Sequence, residues 1–452
     1  MKITHEQWAS KIGFVLAAAG SAIGLGAIWK FPYVAGTSGG GAFLLLFLLF
    51  MVLLGYPLLL AEFSIGRFAG SDAVSAYKKI SPSSNSHIIG LIGLVTCFII
   101  LSFYSVIGGW IIIYIFHAIS GSLSRLTVEQ YNVFFQELIS NPFATILAQL
   151  IFMIITIFVI ARGIQDGIEK VSRFMMPALF ILFILIVVRS LTLENAWEGV
   201  RFIFYPDFSK LTTDAILFAL GQAFFSLSVG MSIMVTYSSY VPKSQSLPKS
   251  AFSVVLMNVF IAILAGLAIF PGVFTYGLEP SAGPTLIFSV LPTVFEQMFA
   301  GTLFMILFFL LFLFAALTSA FSLLEMIVAV IIKGDSSKRN KTAWIVGLSV
   351  FALGVPSCLS FGVLSNVLIW DKTIFDIADY VTSNILIPLG GLFIALFVAY
   401  RFPKQQLLEE IQLGSGVTET FMNIWFILIK YFTPIAIIIV FLDAIGMLSF
   451  LK

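Results

Sequence analysis

Two stretches of the chain carry glycine and serine, and the first also a charge, where an unbroken apolar helix would ordinarily run. The first is GSAIGLGAIWKFP at residues 20–32, with Gly20, Gly24 and Gly26, then Lys30 and Pro32. The second is GQAFFSLSVGMSIMVTYSSY at residues 221–240, with Ser226, Ser228 and Gly230 near its middle. Glycine costs about 1 kcal/mol against alanine in a helix interior and proline about 3, so both stretches should interrupt a helix. An interruption inside a membrane leaves backbone N–H and C=O groups that hydrocarbon cannot satisfy. A polar ligand and cations can satisfy them. Close helix packing is the competing reading, because Gly20 and Gly24 form a GxxxG pair. The matching cluster at 226–230 and the nearby Lys30 and Pro32 favour interruption. Asn258, Thr318 and Ser319 also lie inside apolar runs. A mid-membrane amide is costly without a function, whereas the two hydroxyls could simply bond back to their own helix.

The elements that must position these groups follow from composition. Of 452 residues, 60% are hydrophobic and 10% charged, and mean hydropathy is +1.07, the profile of a chain that crosses a lipid bilayer many times. Windows of about 20 apolar residues predict eleven spans near 12–34, 41–66, 88–118, 143–161, 174–191, 214–240, 250–272, 299–332, 343–369, 374–400 and 422–450. Segments near 280–298 and 403–415 read as helical but not spanning. MKITHEQW reads as a short polar tail, not a cleavable leader. Loops on the N-terminal side hold most of the basic residues, among them Arg67, Lys78, Lys79, Arg162, Lys338, Arg339 and Arg401. The positive-inside rule therefore expects a cytoplasmic N-terminus and, with an odd span count, an extracellular C-terminus.

The interrupted spans are the first and the sixth. They occupy corresponding places in two five-span halves, the arrangement that points to a transporter site at the membrane midplane. The expected fold is an all-α membrane protein with a 5+5 inverted repeat and discontinuous helices 1 and 6. Its units are residues 1–195, 196–402 and 403–452.

The net charge of +2 gives no reason to expect nucleic acid. Cys97 and Cys358 lack CxxC or Cys/His spacing and read as small buried hydrophobes. His5, His87 and His117 form no HExxH motif and GxSxG is absent, so nothing points to an enzyme.

The stretch WASKIGFVLAAAGSAIGLGAIWKFPYVAGTSGGGAF resembles the first-span signature of the neurotransmitter:sodium symporter family. The resemblance continues through EFSIGRFAG, GQAFFSLSVG, YSSYV, LTSAFSLLE and DYVTSNILIPLGG, covering about residues 5–400. It implies bacterial sodium-coupled uptake of an amino acid, with eleven spans. A zwitterion needs donors for its carboxylate, which the half-helix N-terminus near Gly24, Leu25 and Gly26 would supply. The resemblance adds the Tyr104 hydroxyl, which alone would read as core packing. Free carbonyls at Ala22, Phe225 and Ser226 with the Ser228 hydroxyl would take the ammonium. The side-chain pocket maps to Ile100, Tyr104, Phe225, Val229, Met231, Ala320 and Leu323. No charged group is among these, so a hydrophobic side chain is expected.

Sodium prefers oxygen ligands, including carbonyls freed by unwinding. By resemblance a first ion maps to Ala22, Ser226, Asn258 and the substrate carboxylate. Ala27 stands where the family commonly has Asn, so one side-chain ligand is missing there and the expected number of ions is one or two. A second ion maps to Gly20, Ile23, Ala315, Thr318 and Ser319. Phe47 and Ala262 replace the Tyr and Ser of chloride-binding members, although Gln222 and Ser226 remain, so chloride dependence is not expected. The resemblance pairs Lys30 with Asp379 as an outer gate over a lid of Tyr104 and Phe225, and assigns Trp8 and Tyr240 to an inner gate. His5 or Lys2 with Asp335 would complete the inner gate. Gly167 and Pro177, ten apart, match a spacing that the family uses to unwind the inner end of helix 5.

The expected function is a plasma-membrane symporter importing hydrophobic L-amino acids by alternating access. The alternatives are a proton-coupled or osmolyte transporter of the same fold, or a sensor or channel that binds without coupled transport. Oligomeric state is not legible in the sequence.

Overall fold

A computed structural model describes residues 6–123, 126–277 and 286–447. The described residues fold as helices joined by short turns and loops, with two isolated β-bridges and no strand longer than that among them. The principal helices are α1 (Lys11–Ala22), α2 (Gly26–Thr37), α3 (Gly41–Ala69), α4 (His87–Ile119), α5 (Pro142–Ala161), α6 (Ile164–Leu191) and α7 (Thr213–Phe225). After these come α8 (Ile233–Ser239), α9 (Leu247–Thr275), α10 (Gly301–Ile332), α11 (Ser336–Leu359), α12 (Ile374–Tyr400), α13 (Lys404–Gln412) and α14 (Glu419–Ala444).

Among the described residues nine helices are long and apolar enough to cross a membrane, or ten when α1 and α2 count as one span. The eleven expected are not reached, because 214–240 is two helices. α7 has 13 residues and α8 has 7, each short of the roughly 20 that a crossing needs. The two non-spanning segments fold as Ile287–Glu296 and α13, and residues 280–285 of the first lie outside the described ones. Large apolar side chains face outward, including Phe143, Phe174 and Phe299 at 78%, 67% and 88% exposure. In water such a surface would aggregate; in lipid it is the solvated face.

The broken helices sit at the centre. α1 packs against α6, α9 and α10, while α7 and α8 pack on α3. Ala17, Ala18 and Ala19 keep the inner half of α1 slim, and residues 17–22 are all buried. α1 and α2 meet at 52°, across Ile23, Gly24 and Leu25. The α7–α8 break is built differently. Ser228, Gly230 and Ser232 all have positive φ, at 53°, 90° and 58°, which reverses the local helical hand. Serine in that region costs about 1–2 kcal/mol per residue, so the surrounding contacts must hold it there.

Candidate ligand and cation site

The two breaks face one another and enclose a cavity of about 320 Å³. Several residues expected at a ligand site line it: Ala22, Gly24, Leu25 and Gly26 from the first break, and Phe225, Ser228 and Met231 from the second. Ile100 and Tyr104 of α4 and Ser319 and Leu323 of α10 complete the wall between them. The Tyr104 hydroxyl is buried beside Ser319 and the Leu25 backbone and makes no well-formed hydrogen bond to either. It ends beside Gly24, where a Cβ would sit 3.1 Å from it and 2.4 Å from Ser319 Oγ. Any side chain at position 24 would therefore fill the space in front of the hydroxyl. Val229 and Ala320 were expected in the pocket but do not line it; both are fully buried behind it.

The cavity also takes residues that sequence reasoning missed. Ser21 and Ser322 hydrogen-bond at 2.7 Å at its base, and Ser228 Oγ donates to the Ser21 carbonyl at 2.8 Å. Serines inside apolar spans were the available signal for them. Phe103 and Phe375 meet edge-on at 5.4 Å near its mouth. Aromatic residues are too common in this chain for that pair to stand out.

Two groups of oxygens flank the cavity. Asn258 Nδ2 donates to the carbonyls of Ala22 at 3.2 Å and Ser226 at 2.8 Å, while its Oδ1 is buried without a partner. Thr318 Oγ1 lies 2.9 Å from the Gly20 carbonyl and 3.0 Å from that of Ala315. Ser319 Oγ reaches the carbonyls of Gly20 at 3.4 Å and Ser21 at 3.1 Å. Thr318 also bonds back to Phe314 in its own helix. Its hydroxyl therefore faces both readings at once. Ile23 ends α1 with its N–H on Ala19. Gln222 Nε2 donates to the Gly26 carbonyl at 2.6 Å, while Phe47 and Ala262 are fully buried apolar groups.

At one end of the cavity, Lys30 Nζ sits 4.6 Å from the centre of the Phe225 ring. Asp379 is exposed and accepts from Ser383 Oγ at 2.9 Å. Both line the cavity, yet the direct ion pair expected between them is not formed. Lysine offers a point charge on a flexible stem, and here the aromatic face holds it.

The other end is sealed. Trp8 is buried, donating from Nε1 to the Tyr237 carbonyl at 2.8 Å and from its backbone to Tyr240 at 3.2 Å. Tyr240 donates to Glu325 Oε1 at 2.8 Å. Arg339 holds Glu325 with two bonds of 2.6 and 3.0 Å and reaches Glu6 Oε2 at 2.8 Å. Burial raises the Glu6 carboxyl above the usual carboxylate range, against the lowering influence of Arg339. This network corrects the expected completion of the gate. Asp335 pairs instead with Lys338 one turn on, at 2.9 Å, and His5 and Lys2 lie outside the described residues. The charges are reversed in place: an acid precedes Trp8 and the arginine is on α11. Nearby, Gly167 abuts Val159, where a Cβ would lie 2.1 Å from its carbonyl oxygen, and Pro177 sits inside α6.

A family model described as the sodium:neurotransmitter symporter family matches residues 5–137 and 135–451. The chain is 60% identical to a Bacillus subtilis protein named "Uncharacterized sodium-dependent transporter YhdH", over 98% of each chain. It is 39% identical to an uncharacterized sodium-dependent transporter of Haemophilus influenzae, over 97% of this chain and 98% of that one. Its fold is similar to the crystal structure of MhsT in complex with L-phenylalanine. The TM-score is 0.89 and identity 45%, over 97% of this chain and 99% of that one. These relatives are transporters, not enzymes. The chain is a sodium-dependent, multi-pass membrane transporter and belongs to the sodium:neurotransmitter symporter family.

Proposed function

We propose that this transporter imports hydrophobic L-amino acids by alternating access, with sodium entering alongside. The observation that carries the reading is the buried Tyr104 hydroxyl, which lines an apolar cavity beside the α1–α2 break without a well-formed hydrogen bond. A substrate carboxylate would accept from Tyr104 and from N–H groups at the start of α2, where the helix dipole favours negative charge. The ammonium would lie against carbonyls of Ala22, Phe225 and Ser226 and the Ser228 hydroxyl. The side chain would extend among Ile100, Met231 and Leu323. The L-phenylalanine bound by MhsT is a ligand of this chemical class.

Sodium is cargo here. One ion would take Gly20, Ile23, Ala315, Thr318 and Ser319; the oxygens of Gly20, Ala315, Thr318 and Ser319 already cluster. A second would take Ala22, Ser226 and the free Oδ1 of Asn258. Ala27 supplies no oxygen there, so this ion leans on the substrate carboxylate. With apolar Phe47 and Ala262 beside Gln222, chloride would have no role. In this reading α7 and α8 together form the eleventh crossing, the halves 1–195 and 196–402 are inverted repeats, and 403–452 is appended. The N-terminus is cytoplasmic, the C-terminus extracellular, and the Trp8 end of the cavity the inner end.

The test is uptake of each of the twenty amino acids into proteoliposomes under sodium, potassium or proton gradients. Sodium-driven accumulation of apolar amino acids is expected; uptake indifferent to sodium and voltage would overturn the reading. Reversal potentials then give the charge moved per substrate. Each charge contributes about 2.3 kcal/mol per 100 mV, so a value near two indicates two ions and a value near one removes the Asn258 ion.

A further inference from the structure

We propose that the Glu169 carboxylate is a coupling clasp: it ties the start of α1 to the first turn of α6, so that loosening one releases the other. Residues 6–10 run along residues 163–169 and are bonded to them at four points. Gln165 Nε2 donates to the Gln7 carbonyl at 2.7 Å, and the Ile164 N–H donates to Glu6 Oε2 at 3.3 Å. Glu169 accepts from the Ala9 N–H at 2.7 Å with one oxygen and from Ser10 Oγ at 2.7 Å with the other. Ser10 in turn caps α1 by accepting from the Gly13 N–H at 2.9 Å.

Glu169 is only 2% exposed, and no cation is bonded to it among the described residues. A buried carboxylate without a cation is held by donors and by the positive end of a helix, and here both come from α1. Gly13 exists for the same contact. A Cβ there would lie 2.0 Å from Glu169 Oε1, 2.2 Å from Cδ and 2.5 Å from Cγ. The acid on α6 and the glycine on α1 are thus two halves of one fitted joint. The α6 side of the joint is locally weak. Gly163 turns at φ 90°, and Pro177 offers no N–H to the preceding helical turn. Glu169 lies between them, and α1 carries Gly20, whose carbonyl meets Thr318 and Ser319. Glu169 therefore acts as a positioning residue, which sets whether the segment leading into the sodium-binding carbonyls is held or free. This step rests on the sodium-coupled cycle proposed above.

Amide hydrogen exchange of the full-length protein in lipid nanodiscs tests it, read on peptides covering 6–22 and 163–177. In sodium, Glu169→Ala is expected to speed exchange about tenfold in both peptides together, the loss of charge-assisted bonds to a buried acid. Ser10→Ala, a milder change, should move both in the same direction. Gly13→Ala should match Glu169→Ala, because its methyl displaces the carboxylate. In the Glu169→Ala background, however, Gly13→Ala should add nothing, since no carboxylate remains to displace. Additive effects, or loosening of 163–177 with 6–22 still protected, would overturn the clasp. If exchange in the wild type ignores sodium while the two substitutions remain non-additive, the clasp stands and the sodium-coupled reading is what fails.

Discussion

The Lys30 end and the Trp8 end of the cavity both carry charged residues, yet only the Trp8 end joins them. Lys30 is partly exposed, Asp379 is exposed, and neither forms an ion pair with the other. At the Trp8 end, Glu325 is fully buried and Arg339 nearly so, and every charge has a bonded partner. The difference is one of solvation. A charge that reaches water pays little for lacking a partner, while a buried one must be paired or it destabilises the state that buries it. Directed bonds therefore hold one end shut, and a lysine resting on an aromatic ring leaves the other ajar. Closing the Lys30 end takes only local rearrangement. Opening the Trp8 end means separating buried ion pairs.

The largest effect should come from Arg339→Ala, which leaves the buried Glu325 without its cation and beside the half-buried Glu6. Removing one partner of a buried pair costs about 3–5 kcal/mol. Thermal stability should fall and residues 6–22 should exchange freely even in sodium. A stability close to wild type would mean that the network is not what seals this end. Next in size is Thr318→Ala combined with Ser319→Ala, which removes both hydroxyls facing Gly20 and Ser21. Sodium-dependent binding should drop by about a hundredfold or more, the loss of two oxygen ligands to a charge; unchanged sodium affinity would return these hydroxyls to helix back-bonding.

Tyr104→Phe separates the cavity from both of its ends. A substrate carboxylate short of one donor loses about 1.5–3 kcal/mol, so affinity should weaken roughly tenfold or more by equilibrium binding. An effect below about twofold would make Tyr104 a packing residue. Lys30→Arg should change less but sharpens the contrast. The guanidinium fork can reach Asp379 in a way that a point charge does not. Substrate dissociation measured by isotope dilution should then slow about threefold, by a partly exposed pair worth under 1 kcal/mol. Faster dissociation would contradict a loosely held Lys30 end.

The smallest effect concerns pH. Burial raises the Glu6 carboxyl, so the sealed state takes up its proton more readily than a state in which Glu6 reaches water. As pH falls through the raised value, protonation favours the sealed state; above it, the ionised group gives no such help. Protection of residues 6–10 should therefore grow on mild acidification in the wild type, and Glu6→Gln should lose that pH dependence. Equal dependence in both proteins would assign it to another group.

The breaks, the spans and the polar groups at Asn258, Thr318 and Ser319 were legible in the sequence because lipid makes them costly. In a hydrocarbon environment each glycine cluster or buried amide is an anomaly that composition alone exposes. Tyr104 and Met231 became legible only through family resemblance, since an aromatic or a methionine in a span is ordinary. The Glu6–Arg339–Glu325 network was not legible, because residues 6, 325 and 339 lie on three separate elements and charges near loops look alike in one dimension.

By itself the sequence determined that this chain crosses a membrane many times, that its first and sixth apolar runs are interrupted, and that oxygen donors stand at those interruptions. These are consequences of local propensity and of the solvent, and need no knowledge of neighbours. Only the tertiary structure decided which end of the cavity is sealed. That outcome depends on how deeply each charge is buried and on which distant segment meets it: Arg339 with Glu6, Glu169 with Ala9 and Ser10, Lys30 with Phe225. Coulomb and hydrogen-bond energies turn on distances of a few ångströms and on exclusion of water, and the fold sets both.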